Sequence, residues 1–215
     1  MEPSPSQKTK GRAAKIVAEL KKLFPNPKMF LTFSSSWELL VAVILSAQCT
    51  DKKVNEVTPK LFAAYPTLDD YIKADPKEFE NYIFSTGFYR AKTKNILASA
   101  KMVKEKFHGK VPRTMTELLT LPGVARKTAN IVLGNAFGIV EGIAVDTHVK
   151  RLAQKLGLTK EANPDKIEKD LMALIPREEW FAFTYRLIEY GRKYCPAKAH
   201  DHKNCPLSVF GENEY

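Results

Sequence analysis

Apolar residues recur at helical spacing along nearly the whole chain. Ile16, Leu20, Leu23 and Phe24 mark one face of a first helix, which Pro25 and Pro27 close. The run from Leu39 to Leu45 is apolar all round, so it predicts a buried central helix, and Ser35 with Glu38 forms a capping box ahead of it. Asp75 followed by Pro76 gives an N-cap and a first-turn proline. Ile96, Ala100, Val103 and Phe107 make a further stripe, stopped by Gly109, and Thr114 with Glu117 makes a second capping box. Asn163 and Pro164 open a late helix through Ile167, Leu171 and Leu174, and another runs from Trp180 to Tyr190 and ends at Gly191. Period-two alternation, internal repeats and long linkers are all missing from the sequence. The pattern predicts an all-α fold of about ten short helices.

Charge adds a partner to this picture. The 215 residues carry a formal net charge of +10, which favours a polyanion, either nucleic acid or an anionic membrane surface. No apolar run approaches a membrane span, so no membrane partner is expected. The start, MEPSPSQKTKGR, lacks the apolar core of a signal peptide, and residues 1–11 read as a disordered basic tail. Three cysteines, Cys49, Cys195 and Cys205, are too few for a disulfide framework. A reducing, cytoplasmic setting with no targeting segment is the expectation, for a nucleoid-associated protein.

Candidate chemistry starts in LPGVARKTAN, residues 121–130. Leu118 and Leu119 end one helix, and Gly123 can take positive φ in the tight turn that follows. The next helix then begins at once, and its first N–H groups carry the positive end of its dipole. A phosphate can bind there through backbone alone. A Pro-Gly turn between helices is common, so this motif is weak by itself. Further on, IAVDTHVKRL (143–152) places Asp146 as the N-cap of a helix starting at Thr147. An amine attacks carbon only when unprotonated, and a neighbouring carboxylate opposes that state. Asp146 is therefore expected to stabilise developing positive charge or shuttle protons.

These two stretches, preceded by ELLVAVILSAQCTD (38–51), resemble the endonuclease III family of helix–hairpin–helix DNA glycosylases over nearly the whole chain, from Ile16 to Cys205. The resemblance implies a two-lobed fold with a DNA-binding cleft between lobes. One lobe would span 30–140 and hold six helices with the hairpin; 12–29 plus 141–215 would form the other, with a degenerate cluster loop. It implies that Lys127 is the nucleophile, attacking C1′ of a damaged nucleotide, expelling the base and forming a Schiff base before β-elimination nicks the strand. Asp146 would support the oxocarbenium-like transition state. Gln48 matches the residue that fills the space left by a flipped base, and Phe88 stands where an apolar wedge is usual, with a core aromatic as the alternative. Tyr89, Arg90, Lys92, Gly123, Ala125, Arg126, His148 and Arg151 complete the expected DNA contacts. Ala125 replaces a common glycine but still offers its N–H.

The adenine-mismatch branch of the superfamily lacks the hairpin lysine and carries a glutamate in the helix that here spans Leu39 to Gln48, where this chain has no acid. The reading is therefore a bifunctional glycosylase and AP lyase acting as a monomer on oxidised pyrimidines, such as thymine glycol, or on abasic sites in double-stranded DNA. A thymine-mismatch glycosylase of the same fold and a non-catalytic DNA-binding module are the alternatives.

The far end departs from the family. Endonuclease III usually ends in C-x6-C-x2-C-x5-C, which holds a [4Fe–4S] cluster. Counting from Cys195, the later positions are His202, Cys205 and Gly211. Two thiolates are replaced, so no cofactor is expected and the iron–sulfur cluster is expected to be absent. Cys195, His200, His202 and Cys205 could instead suit tetrahedral zinc; the alternative is a loop held by packing through Tyr194, Pro206, Leu207 and Phe210.

Overall fold

A computed structural model describes residues 6–211, and the described residues are helical with no strand. Eleven α-helices occur among them: α1 Gln7–Leu23, α2 Ser36–Leu45, α3 Asp51–Ala64, α4 Leu68–Lys73, α5 Pro76–Ile83, α6 Tyr89–Lys106, α7 Met115–Leu118, α8 Arg126–Phe137, α9 Thr147–Lys155, α10 Pro164–Leu174 and α11 Trp180–Lys193. The chain divides into two compact units, Met29–Glu141 and Met1–Lys28 with Gly142–Tyr215.

The contiguous unit is built around α2. Every residue from Leu39 to Leu45 is buried, because this helix is apolar on all faces and packs against α3, α6 and α8. Its start is fixed by Ser35, whose side chain accepts from the Glu38 amide at 3.1 Å, while the Glu38 carboxylate accepts from the Ser34 amide at 2.6 Å. Aromatic rings fill one side of this core, with Tyr71, Phe79 and Tyr65 in mutual contact and Trp37 edge-on to Tyr71. Helices α3 and α4 escape the sequence pattern. Pro59 lies inside α3, where it removes one backbone donor, yet Val54, Val57 and Leu61 bury enough apolar surface to keep the helix.

The second unit joins the two ends of the sequence. Ala13, Ile16, Val17 and Leu20 of α1 pack with Ile143, Val149, Leu152, Ile167, Leu171, Phe183 and Leu187 in one core. Glu179 joins two cations of this unit: Lys21 donates to it at 2.6 Å, and Arg186 does so while its Nε also donates to Phe24 O at 3.1 Å. Burial raises the Glu179 carboxyl pKa, but the hydrogen bonds from Lys21 and Arg186 outweigh it and hold the group below its ordinary value.

Two expectations are corrected here. The basic tail expected over 1–11 is helical from Gln7, capped by Ser6 and anchored by Arg12, which donates to Gly157 O at 3.1 Å; residues 1–5 lie outside the described residues. The last long helix does not stop at Gly191 but runs to Lys193. A Cβ at Gly191 would lie 2.6 Å from His148 Nδ1 and 3.2 Å from Leu152 Cδ1, so the glycine serves the close approach of α9 to α11 rather than a helix end.

Candidate active site

The hairpin is assembled from both sides of its turn. Leu121 and Val124 are buried in the core of the contiguous unit, which pins the chain before and after Pro122-Gly123. The backbone between them must then reverse within two residues, and Gly123 does so at φ +78°. A side chain there would also meet Asn95 at 2.9 Å. Ser99 donates to Pro122 O at 3.0 Å, so α6 holds the turn by one hydrogen bond and, through Asn95, by close approach one helical turn earlier. Neither Asn95 nor Ser99 stands out in the sequence; their only signal is polarity beside the apolar stripe of α6.

Helix α8 opens without help from a side chain. Ala125 is its N-cap and makes no side-chain cap, and the helical ladder begins with the Ala129 amide donating to Ala125 O at 3.0 Å. The first turn therefore keeps the positive end of a helix dipole with no protein carboxylate or hydroxyl capping it. Lys127 sits in that turn, exposed, and among the described residues it makes no hydrogen bond or ion pair. An amine and a set of backbone donors are thus presented together, which suits a phosphodiester with an electrophilic carbon beside it.

Asp146 is held just as firmly in the other unit. Ile143, Ala144 and Val145 before it are buried, and Thr184 of α11 donates to Ala144 O at 3.1 Å. The Asp146 side chain caps α9 through one oxygen, accepting from the Val149 amide at 2.8 Å. The carboxylate is half-buried and its orientation is set by the cap.

The two residues expected to enter the space of a flipped base share an unusual backbone. Gln48 has φ +51° and Phe88 has φ +49°, and with His108 they are the non-glycine residues at positive φ among the described residues. Gln48 is exposed, and Phe88 is 65% exposed with Phe84, itself exposed, nearby in sequence. Left-handed backbone in a phenylalanine costs on the order of 1–2 kcal/mol. The Phe88 ring is therefore not a core aromatic: it projects outward on strained backbone. Next to it, Tyr89 is half-buried against Phe84 with ring centroids 4.8 Å apart, and the exposed Arg90 lies over the Tyr89 ring at 5.6 Å.

Of the expected DNA contacts, Lys92 is instead buried, and the half-buried Arg151 and His148 face other parts of the protein. Lys92 is 4% exposed and donates to Leu45 O and to Thr86 O, both at 2.8 Å. Burial lowers its pKa from the ordinary lysine value. It ties the carbonyl end of α2 to the segment before Phe88. Arg151 donates to Cys195 O at 2.7 Å and approaches Cys195 Sγ at 3.7 Å, which commits it to the C-terminal loop. His148 turns its ring onto Gly191 of α11, so its place is in helix packing. Arg126 is half-buried at the first position of α8, and Ala125 is exposed at the cap.

At the C-terminal loop, Cys195, His200, His202 and Cys205 come together with their ligand atoms within 4.8 Å of one another. Both thiols are buried and free. Cys49, by contrast, is half-buried in the contiguous unit.

Two outcomes are expected from these contacts. Lys92→Met should lower stability by about 2–4 kcal/mol in urea titration, because two buried carbonyls lose a charged donor. If Lys92 served DNA instead, the variant would lose DNA affinity at unchanged stability. Phe88→Gly should leave stability unchanged or raise it by about 1 kcal/mol, since glycine accepts the left-handed backbone, while excision of a damaged base from duplex DNA slows.

Comparison with known proteins places this geometry. The family model described as HhH-GPD superfamily base excision DNA repair protein matches residues 41–177. The chain is similar to Endonuclease III of Synechocystis sp., at 52% identity over 199 residues, covering 93% of this chain and 91% of that protein. Among solved structures it is similar to a non-covalent Endonuclease III–DNA complex, with a TM-score of 0.90, 43% identity, and coverage of 94% of this chain and 95% of that one. A trapped Endonuclease III–DNA covalent intermediate matches with the same TM-score, identity and coverage.

Proposed function

As this chain belongs to the endonuclease III family, within the HhH-GPD superfamily of base excision DNA repair proteins, we propose that it removes oxidised pyrimidines, such as thymine glycol, from double-stranded DNA, with Lys127 as the nucleophile. It is a bifunctional DNA glycosylase and AP lyase. The observation that carries the assignment is the exposed Lys127 amine in the uncapped first turn of α8, beside the Gly123 turn. Phosphate oxygens accept from the amides of that turn, which sets the register of the strand without reading sequence. The net charge of +10 supplies the long-range attraction to the polyanion.

The chemistry follows from the residue types. The unprotonated Lys127 amine adds to C1′ of the damaged nucleotide as the C1′–N bond to the base breaks, and the base leaves with the bonding pair and is protonated. The resulting aminal opens the sugar ring to an imine, which acidifies the C2′ proton. Loss of that proton expels the 3′ phosphate, so the strand is cut by β-elimination. Only an amine nucleophile gives an imine, and so glycosylase and lyase functions share one residue. Asp146 stabilises positive charge at the sugar and relays protons, its oxygen orientation set by the α9 cap. Gln48 and Phe88 occupy the stack while the target base is out of it. Gly123, Ala125 and Arg126 contact the backbone, along with Tyr89 and Arg90. A four-cysteine [4Fe–4S] cluster is not part of this reading, because residue 202 is histidine and residue 211 is glycine. The chain would act as a monomer on nucleoid DNA in the cytoplasm. No helix among the described residues is long and apolar enough to cross a membrane.

Borohydride trapping tests the assignment directly. Wild type on thymine-glycol or abasic duplex DNA should give a covalent protein–DNA adduct, and Lys127→Ala should give none and no nicking. Unchanged nicking by Lys127→Ala would remove the lysine from the mechanism. Asparagine caps helices as well as aspartate does. Asp146→Asn should therefore keep the melting temperature while turnover falls by roughly 10²–10⁴-fold, separating the charge of the carboxylate from its structural role.

A further inference from the structure

The family's cluster motif has become a different donor set in this chain, and its geometry decides what it can hold. A [4Fe–4S] cluster of the usual kind needs four thiolates, one for each iron. The loop offers two, Cys195 and Cys205, and the third cysteine, Cys49, belongs to the contiguous unit. An all-cysteine cluster does not fit these residues. A single tetrahedral ion with bonds of about 2.0–2.3 Å holds its ligand atoms about 3.3–3.8 Å apart. Cys205 Sγ lies 3.4 Å from His200 Nε2 and 3.5 Å from His202 Nδ1, and all four ligand atoms fall within 4.8 Å.

We propose that Cys195, His200, His202 and Cys205 bind one zinc ion as a tetrahedral Cys2His2 site, and that this ion closes the C-terminal loop.

The surroundings prepare the ligands. His200 Nδ1 lies 2.8 Å from Lys198 O; a carbonyl only accepts, so the proton sits on Nδ1 and the Nε2 lone pair faces Cys205. Arg151 fixes the first ligand by donating to Cys195 O at 2.7 Å, with its second nitrogen 3.7 Å from the sulfur. Both cysteines are 2% exposed, a burial that limits oxidation and competition by water. Helix α11 holds the frame: Tyr190 O accepts from the Cys195 amide at 3.1 Å, and the Tyr190 hydroxyl accepts from the Leu207 amide at 3.1 Å. Binding converts two thiols to thiolates and releases two protons, which leaves the Zn2+ site neutral. The Cys205 thiol gives up its contact with Tyr194 O, now 2.9 Å, in the exchange. His202 binds through Nδ1 and carries its proton on Nε2, so Lys155, which now lies 2.7 Å from Nε2, turns away.

The protein as purified should contain one zinc per chain by elemental analysis and no iron. After chelation, Co(II) should restore the site with the visible ligand-field bands of a tetrahedral ion and a thiolate-to-metal band in the near ultraviolet. Zinc should raise the melting temperature of the chelated protein. His200→Ala and His202→Ala, whose side chains are only half-buried, should keep their helical circular dichroism and weaken Co(II) binding at least about 10-fold. Stoichiometric iron with a brown chromophore would overturn the proposal in favour of a cluster. Failure of the chelated protein to take up Zn(II) or Co(II) would overturn it in favour of a loop held by packing.

Discussion

Two buried residues three positions apart, Leu121 and Val124, dictate the shape of the active end of the contiguous unit. Burying both leaves Pro122 and Gly123 to reverse the chain outside the core, and only positive φ at residue 123 achieves that turn. The reversal brings the start of α8 to the surface with alanine at its cap, so its dipole is left to something other than the protein. Ser99 of α6 then ties down the turn, and Asn95 leaves no room for a side chain at residue 123. A serine or aspartate at position 125 would cap α8 and contribute about 1 kcal/mol of stability, but it would occupy the amides that a phosphate would use. The chain forgoes that stabilisation here, as it does at α6 and α11, while capping α1 to α5, α7, α9 and α10 with side chains.

Strain falls in the same pattern. Gln48 and Phe88 hold left-handed backbone outside any glycine, and each follows a helical segment whose carbonyl end would otherwise need partners. Lys92 supplies them: its ammonium binds Leu45 O at the end of α2 and Thr86 O two residues before Phe88. One buried cation therefore joins the two segments that project Gln48 and Phe88. The burial that makes this brace expensive also makes it specific, because a charge with two carbonyl partners has no alternative position nearby.

The limits of the sequence follow from what is local and what is not. Caps at Ser35, Thr114, Asp75, Asp146 and Asn163 are legible because a cap involves residues within one turn. The apolar stripes are legible for the same reason, and so is the place of Lys127 in the first turn of a helix after a tight turn. Lys92 and Arg151 read as surface cations because nothing nearby in sequence reveals which carbonyls packing will leave unmatched. Gly191 reads as a helix end because its true constraint, the approach of His148 and Leu152, comes from another helix. The first residues read as a tail because Ser6 and Arg12 act through one helix cap and one distant carbonyl, Gly157 O, against a strongly charged local composition.

The C-terminal loop shows how a lost motif can leave its scaffold in place. Arg151 donates to Cys195 O, Tyr190 O accepts from the Cys195 amide and the Tyr190 hydroxyl accepts from the Leu207 amide, and none of these contacts uses a ligand atom. With His202 and Gly211 at two of the family's thiolate positions and His200 two residues before the first, the donor set closes on a single ion rather than spanning several irons. The anchoring of α9, and through its first residues the orientation of Asp146, is therefore maintained by the loop's backbone contacts. The metal's role is to close the loop's free end, far along the chain from the residues that carry the chemistry.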